Sequence, residues 1–121
     1  MIHIALHVIV PLVVAVAIDR RGWRTTFVVL VGTMIVDADH LLADPSYDPA
    51  RCAIGFHPLH THPAIVSYVS LLAGGLYVAR ISKSAQTKQL ARWGWLVALG
   101  LLIHMALDAL DQITIRWIIA G

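Results

Sequence analysis

Charge is scarce in this sequence, and cysteine is nearly absent. Only 13% of the 121 residues are charged, whereas 59% are hydrophobic, and the mean hydropathy is +0.77. A chain this apolar is not expected to form an ordinary soluble domain. Cys52 is the single cysteine, which excludes an internal disulfide. We expect one domain over residues 1–121.

The apolar runs also lack polar stripes at helical spacing. Residues 8–18 and 27–36 contain almost no polar side chain. A helix in a soluble bundle needs such a stripe on its solvent-facing side, whereas a helix surrounded by lipid does not. The sequence therefore favours a membrane bundle over a soluble one.

Basic residues are few, and their positions indicate membrane topology rather than nucleic-acid binding. The formal net charge is +2 and the isoelectric point is about 9.0, but the basic side chains cluster in two short stretches that flank apolar runs. Cytoplasmic loops of membrane proteins are enriched in such residues. We therefore expect both stretches on the cytoplasmic side and both termini outside. The basic residues are Arg20, Arg21 and Arg24 in the first stretch, and Arg80, Lys83, Lys88 and Arg92 in the second.

Four apolar segments, at about 2–18, 26–43, 64–81 and 93–119, are each long enough to cross a bilayer as a helix. The predicted fold is all-α, an integral membrane bundle of four transmembrane helices with a His-rich loop between helices 2 and 3. The first segment lacks a basic start and a small-residue cleavage site, so we do not expect a cleaved signal peptide. Gly74 and Gly75 predict close helix contact in the third segment.

Histidine and aspartate interrupt or adjoin these apolar segments. Ionisable groups are costly within a bilayer and usually mark a function there. With alternating helices, the groups in three of the segments all fall at the outer membrane face, together with the histidine loop. Histidine and aspartate from separate segments are typical ligands of a zinc-like ion. The residues in the segments are His3, His7, Asp37, Asp39, His40, His104, Asp108 and Asp111, and those in the loop are His57, His60 and His62.

The spacing of these residues groups them in pairs. His104 and Asp108 are four residues apart, as are His3 and His7, so each pair projects from one helical face. His62 precedes Pro63, which suits the first turn of the third helix and places His62 near its N-cap. The positive end of that helix favours the neutral imidazole that binds metal. For His104 with Asp108, a hydrogen-bonded pair that ties two helices together is the structural alternative.

The order of these motifs resembles the YdjM-like family of bacterial inner-membrane, metal-dependent hydrolases. The resemblance rests on an N-terminal His, an Asp-x-Asp-His motif, a His-x-x-x-x-His motif with Thr before its second His, and a late His-x-x-x-Asp. Residues 51–60 also look like a shorter, uncharacterised bacterial membrane family related to that group. The matching positions are His7, Asp37, Asp39, His40, His57, Thr61, His62, His104 and Asp108.

The resemblance, together with the residue types, implies a divalent metal site. Zinc is the expected ion, with manganese or iron as alternatives, and one or two ions are expected. Asp37 or Asp39 is the expected general base, or else the partner that orients a ligand histidine. The roles of His3, His60 and Asp111 stay open. The expected metal ligands are His7, His40, His57, His62, His104 and Asp108.

The expected function is hydrolysis of a lipid-like phosphoester or ester at the outer face of the bacterial inner membrane. Arg51 is the one cation of the outer loop and is suited to an anionic headgroup. Membrane lipid or a lipid-linked compound is therefore the expected partner, no nucleic acid is expected, and a homodimer is plausible. Two alternatives stay open: a non-catalytic protein that binds or passes an ion, and a structural subunit whose His/Asp network ties helices together.

Overall fold

The chain is all-helical wherever the structure describes it. A computed structural model describes residues 2–42 and 57–120, with side chains described for 4–37, 57–111 and 113. Within these ranges the α-helices are α1 (Ile2–Ile18), α2 (Trp23–Gly32), α3 (His62–Ile81) and α4 (Ala85–Ala120). Two 3₁₀ segments, Thr33–Leu42 and Pro58–His60, lie between α2 and α3, and the described ranges contain no strand. The predicted all-α class is confirmed.

The second apolar segment differs from the predicted single helix over 26–43. It begins earlier, at Trp23, and changes from α-helix to 3₁₀ helix after Gly32. At the change, the Thr33 hydroxyl donates a hydrogen bond to the carbonyl oxygen of Leu30 at 2.7 Å. Such local side-chain bonds compete with regular helix geometry. Because a 3₁₀ helix rises about 2.0 Å per residue against 1.5 Å in an α-helix, the combined segment extends about 35 Å.

Two of the helices are long and apolar enough to cross a membrane. They are α3, with 20 residues, and the 27-residue stretch Ala85–Asp111 of α4. The apolar stretch of α1, Ile4–Ile18, is shorter. A bundle with four membrane spans therefore stays a prediction. α4 also begins before the predicted residue 93, because Ser84 accepts a hydrogen bond from the Thr87 amide at 3.3 Å and so caps the helix.

Close helix contacts depend on two glycines. A Cβ added at Gly75 in α3 would lie 2.9 Å from the Cβ of Trp95 in α4, which confirms the close contact predicted there. A Cβ at Gly100 in α4 would lie 2.6 Å from the hydroxyl oxygen of Thr33. α4 therefore approaches α3 on one side and the end of α2 on another, and it forms the centre of the bundle.

The connection between α1 and α2 is fixed to α4 by Asp19. The Asp19 carboxylate accepts a hydrogen bond from the Gly22 amide at 2.9 Å and forms an ion pair with Arg92. The Gly22 hydrogen bond and then Arg92 lower the pKa of Asp19 below its usual value. This contact lies at the opposite end of the bundle from His7 and Asp108.

The start of α3 is fixed by a cap and by a longer contact. The Thr61 hydroxyl accepts a hydrogen bond from the Ala64 amide at 3.4 Å, and Pro63 occupies the first turn, as predicted. The Tyr68 hydroxyl donates a hydrogen bond to the carbonyl oxygen of Leu59 at 3.0 Å. Tyr68 thereby holds the short 3₁₀ turn, and with it His60, against α3.

Candidate metal centre

Four parts of the chain bring ionisable side chains together at one end of the bundle. The cluster contains His7 of α1, Asp37 of the first 3₁₀ segment, His60 of the short 3₁₀ turn, and His104 and Asp108 of α4. Four of these five side chains are buried, and Asp37 is partly exposed. We call these five residues the His/Asp cluster.

Asp108 lies at the middle of the His/Asp cluster. Its Oδ1 atom lies 3.3 Å from Nε2 of His7. Its Oδ2 atom lies 3.3 Å from Nε2 of His104 and 3.5 Å from Nε2 of His60. The two carboxylate oxygens therefore have different nearest partners: His7 is nearest to Oδ1, and the other two histidines are nearest to Oδ2.

Asp37 contacts the same two histidines, His60 and His104, that lie near Oδ2 of Asp108. Its Oδ1 atom lies 2.9 Å from Nε2 of His104, which is hydrogen-bond distance, and 3.5 Å from Nε2 of His60. Single ligand atoms of Asp37, His60, His104 and Asp108 all lie within 4.8 Å of one another. This group could hold a metal ion.

The distances fit a small coordination sphere. Metal bonds of about 2.0–2.2 Å at tetrahedral angles put neighbouring ligand atoms about 3.3–3.6 Å apart. Three of the contacts of His60 and His104 with the two carboxylates are 3.3–3.5 Å long and the fourth is 2.9 Å. A charge-assisted hydrogen bond between such groups is shorter, about 2.7–2.9 Å. Most of the contacts are therefore closer to the spacing of ligands around an ion than to that of direct ion pairs.

The charge of the cluster also fits a cation. Residues 1–19, 26–50, 52–79 and 93–115, which include all five members, contain neither lysine nor arginine. Buried carboxylates require a compensating positive charge. Asp108 is buried, so the histidines around it or a bound divalent cation would supply this charge, and a divalent ion would also leave the imidazoles neutral.

The cluster is open on the side of Asp37 and tightly packed on the side that faces the interior of the bundle. The side chain of Asp37 is 42% exposed, whereas that of His60 is fully buried. On the inner side, the space between His7, Thr33, Gly100 and His104 admits no water-sized sphere. Among the residues that the structure describes, access to the cluster is therefore from the side of Asp37.

The cluster includes several, but not all, of the residues expected from the sequence. His7, Asp37, His104 and Asp108 come together. His57 is buried, with its ring 5.8 Å from that of His60, but it supplies no atom to the group of four. The structure does not describe the side chains of Asp39, His40 and His3.

His60 and His62 lie in different environments in the structure, and the sequence did not predict this difference. The sequence favoured His62 as a ligand and left the role of His60 open. In the structure His62 is exposed in the first turn of α3, and His60 is fully buried in the cluster. The backbone amide of His60 donates to the carbonyl oxygen of His57 at 2.9 Å, and this turn directs the His60 ring inward. The sequence feature that could have indicated the inward position of His60 is its three-residue spacing from His57, with a proline between them.

A protein-family model described as "Family of unknown function (DUF6122)" matches residues 1–115. No curated protein and no solved structure matches the chain. The expectation of an uncharacterised family is thus confirmed, whereas a relation to the YdjM-like family stays a prediction. Because the match extends over nearly the whole sequence, the chain belongs to this family of unknown function.

Proposed function

We propose that this protein is a membrane-embedded, metal-dependent hydrolase that acts on a lipid-like phosphoester or ester. The observation that carries the proposal is the convergence of His60, His104 and Asp108 in a buried group with one open side, next to the exposed carboxylate of Asp37. Catalytic zinc sites keep three protein ligands and one open position, whereas structural sites are closed by four. The unequal burial of the four groups supports the first arrangement.

Three residues are assigned as ligands on this basis. His60 and His104, through Nε2, and Asp108, through Oδ2, would hold the ion, with zinc as the expected metal. A divalent ion of this kind lowers the pKa of a bound water to about 7 and polarises a phosphoryl or acyl oxygen. Histidine with carboxylate suits zinc, and manganese or iron are the alternatives.

The remaining residues orient ligands and accept a proton. Asp37, at the open side, would act as the general base toward water at the site. His7 contacts Oδ1 of Asp108 and holds the carboxylate so that Oδ2 faces the other two histidines. His57, packed beside the ring of His60, limits the rotation of that ring. The expected roles of Asp39, as the alternative general base or the partner that orients a ligand histidine, and of His40 as a further ligand stay proposals from the sequence.

The packing beneath the cluster favours hydrolysis over ion passage. A conduction path would have to continue from the cluster toward the other end of the bundle. The space bounded by His7, Thr33, Gly100 and His104 admits no water-sized sphere, and Gly100 leaves no room beside Thr33 for even a methyl group. A site that opens to one side suits a reaction on a substrate that enters and leaves by that side.

The bilayer is the proposed environment because α3 and α4 meet the length and hydropathy of a membrane span. α2 with its 3₁₀ extension, at about 35 Å, is long enough to be a further span, and α1, at about 25 Å, is near the short limit. Arg92 and Lys88 lie at the end of α4 away from His104 and Asp108. By the preference of basic residues for the cytoplasm, the cluster faces outward.

Cysteine labelling tests this orientation. A reagent that does not cross the inner membrane should label a cysteine introduced at Ser46, in the outer loop, in intact cells. The Cys52→Ser background removes the natural thiol. If labelling at Ser46 requires permeabilised cells, the orientation is reversed.

Metal analysis tests the centre itself. The purified, detergent-solubilised protein should contain about one equivalent of zinc, manganese or iron, as expected for a single three-ligand site. His104→Ala and Asp108→Ala should each lose it. His62→Ala is the matched control, because this histidine is exposed and outside the cluster, and it should retain the metal.

Absence of metal after reconstitution of the folded protein would contradict the proposal and favour a polar network that ties helices together. Loss of metal in His62→Ala alone would return the ligand role to that residue.

Once metal is found, phospholipid, lipid-linked phosphate and lipid ester substrates should be screened with Asp37→Asn as the low-activity variant. Asp37→Asn should keep its metal, since Asp37 is assigned to proton transfer rather than to binding. Hydrolysis by Asp37→Asn at the wild-type rate would remove Asp37 from that role.

A further inference from the structure

An apolar groove begins beside the His/Asp cluster. It has a volume of about 520 Å³ and is lined by α2 with its 3₁₀ extension, by α4, by Leu59 of the short 3₁₀ turn and by Tyr68 near the start of α3. Several of its side chains are strongly exposed, including Ile35 at 80% and Val28 at 67%. The lining residues used below are Val28, Gly32, Val36, Leu59, Val97 and Leu101.

Two residues that line the groove are chain neighbours of cluster residues, so the groove begins next to the cluster. Val36 directly precedes Asp37, the exposed member of the cluster, and Leu59 directly precedes His60. From Val36 the groove runs back along the chain to Val28, which is about 14 Å at the rises of about 1.5 Å per residue in α2 and about 2.0 Å in its 3₁₀ extension. A molecule that lies in the groove therefore has one end at the cluster and the other end among apolar side chains.

We propose that this groove binds one acyl chain of an amphiphile whose headgroup lies at the His/Asp cluster. The interpretation of that amphiphile as the substrate rests on the function proposed above. The groove runs along α2 and α4, and α4 meets the criteria of a membrane span. In the proposed bilayer a lipid chain therefore lies along the groove with no change of direction, while its headgroup lies at the surface beside Asp37.

A lipid chain fits the groove better than a second protein does. A protein segment seated between Val28 and Leu59 would cover the side on which Asp37 is exposed, which is the open side of the cluster. A lipid chain fills the same apolar volume and leaves its own headgroup at that opening. The apolar lining provides no charged partner to fix a protein helix in the groove.

Gly32 gives a direct test, because a Cβ added there meets no atom within 4 Å. Gly32→Leu therefore directs a larger side chain into the groove from a position where its Cβ contacts no atom. Gly74→Leu is the matched control: its added Cβ also meets nothing within 4 Å, but it lies on α3, away from the groove. Val97→Phe narrows the groove from α4 and gives an independent second variant.

The measurement is photo-crosslinking, which needs neither metal nor turnover. The protein is reconstituted in phosphatidylcholine vesicles that contain a phosphatidylglycerol with a diazirine on one acyl chain, and labelled residues are mapped by peptide mass spectrometry. Groove residues such as Val97 and Leu101 should be labelled more strongly than the exposed α3 residues Val66 and Tyr77. Gly32→Leu should lower groove labelling about tenfold, because overpacking disfavours occupancy of a filled site.

Equal labelling of the groove and α3, unchanged by Gly32→Leu and Val97→Phe, would mean ordinary surrounding lipid and would overturn the proposal. Groove labelling should persist in metal-stripped protein. If the groove responds to Gly32→Leu but no ester or phosphoester is hydrolysed, the proposed function fails and the acyl-chain site stands. If lipid hydrolysis is found and Gly32→Leu leaves it unchanged for long and short chains alike, the acyl-chain site fails and the hydrolase stands.

Discussion

The role of His7 separates two versions of the metal centre. The sequence predicts His7 as a ligand, whereas in the structure its Nε2 atom lies 3.3 Å from Oδ1 of Asp108, and His60 and His104 are nearest to the other oxygen, Oδ2. Its ring also packs edge-on to that of His104, with centroids 4.8 Å apart. His7 is therefore placed to orient two ligands without binding the ion.

His7→Phe removes this contact and preserves most of the packing. Phenylalanine keeps an aromatic ring beside His104, so the buried site is not emptied. Residues that orient a metal ligand typically change affinity by about 10- to 100-fold, which corresponds to about 1.4–2.7 kcal/mol. We expect His7→Phe to weaken zinc binding within that range. Removal of a ligand, as in His104→Ala, should weaken binding beyond it.

The assay is competition for zinc between the detergent-solubilised protein and a chromogenic chelator of known affinity. Thermal unfolding of the metal-free variants, measured in parallel, shows whether each variant is folded. Zinc affinity of His7→Phe within about threefold of the wild type would refute the orienting role, because it falls well below the range for such residues. A loss as large as that of His104→Ala would make His7 a ligand, as the sequence predicts.

Two further predictions concern the bundle rather than the ion. Gly100→Ala should lower the free energy of unfolding by about 1–3 kcal/mol, because the new methyl group would lie 2.6 Å from the hydroxyl oxygen of Thr33; a stabilised variant in thermal unfolding would contradict this contact. The Gly22 amide and then Arg92 lower the pKa of Asp19, so this contact stabilises the fold above the usual carboxyl pKa of about 4, and the stabilisation is lost as the pH falls through the lowered value. Arg92→Ala should therefore flatten the acid side of the stability–pH curve, and an unchanged curve would show that the ion pair contributes nothing.

Element positions followed well from local features of the sequence. The predicted limits of the first helix, 2–18, agree with α1 (Ile2–Ile18). α3 begins where Pro63 predicts a helix start, and its N-cap is Thr61, the residue before His62, since capping and proline geometry act within a few residues. The change to 3₁₀ geometry after Gly32 was missed, because the apolar run continues through it without a break in pattern.

The choice among the loop histidines did not follow from the sequence. Proline after His57 and His62 biases both toward extended backbone, and His57 is indeed extended, with φ −79° and ψ 143°. That bias does not determine which way a side chain points. The direction of His60 depends on the turn at Pro58 and on the hydrogen bond from Tyr68 to Leu59, a contact across nine residues. Such contacts are not visible in local patterns.

The rotation of each helix about its axis was the hardest feature to predict, and the His/Asp cluster explains why. Helices that are apolar on all sides carry no polar stripe to define an inner face. In lipid, burial of apolar side chains gives little preference between faces, and interhelical polar contacts and close packing fix the arrangement instead. His7 in α1 and Asp108 in α4 meet across about a hundred residues of sequence. In the proposed bilayer, the residues of the His/Asp cluster therefore also determine which faces of α1 and α4 meet, so that the candidate site and the rotation of these helices depend on each other.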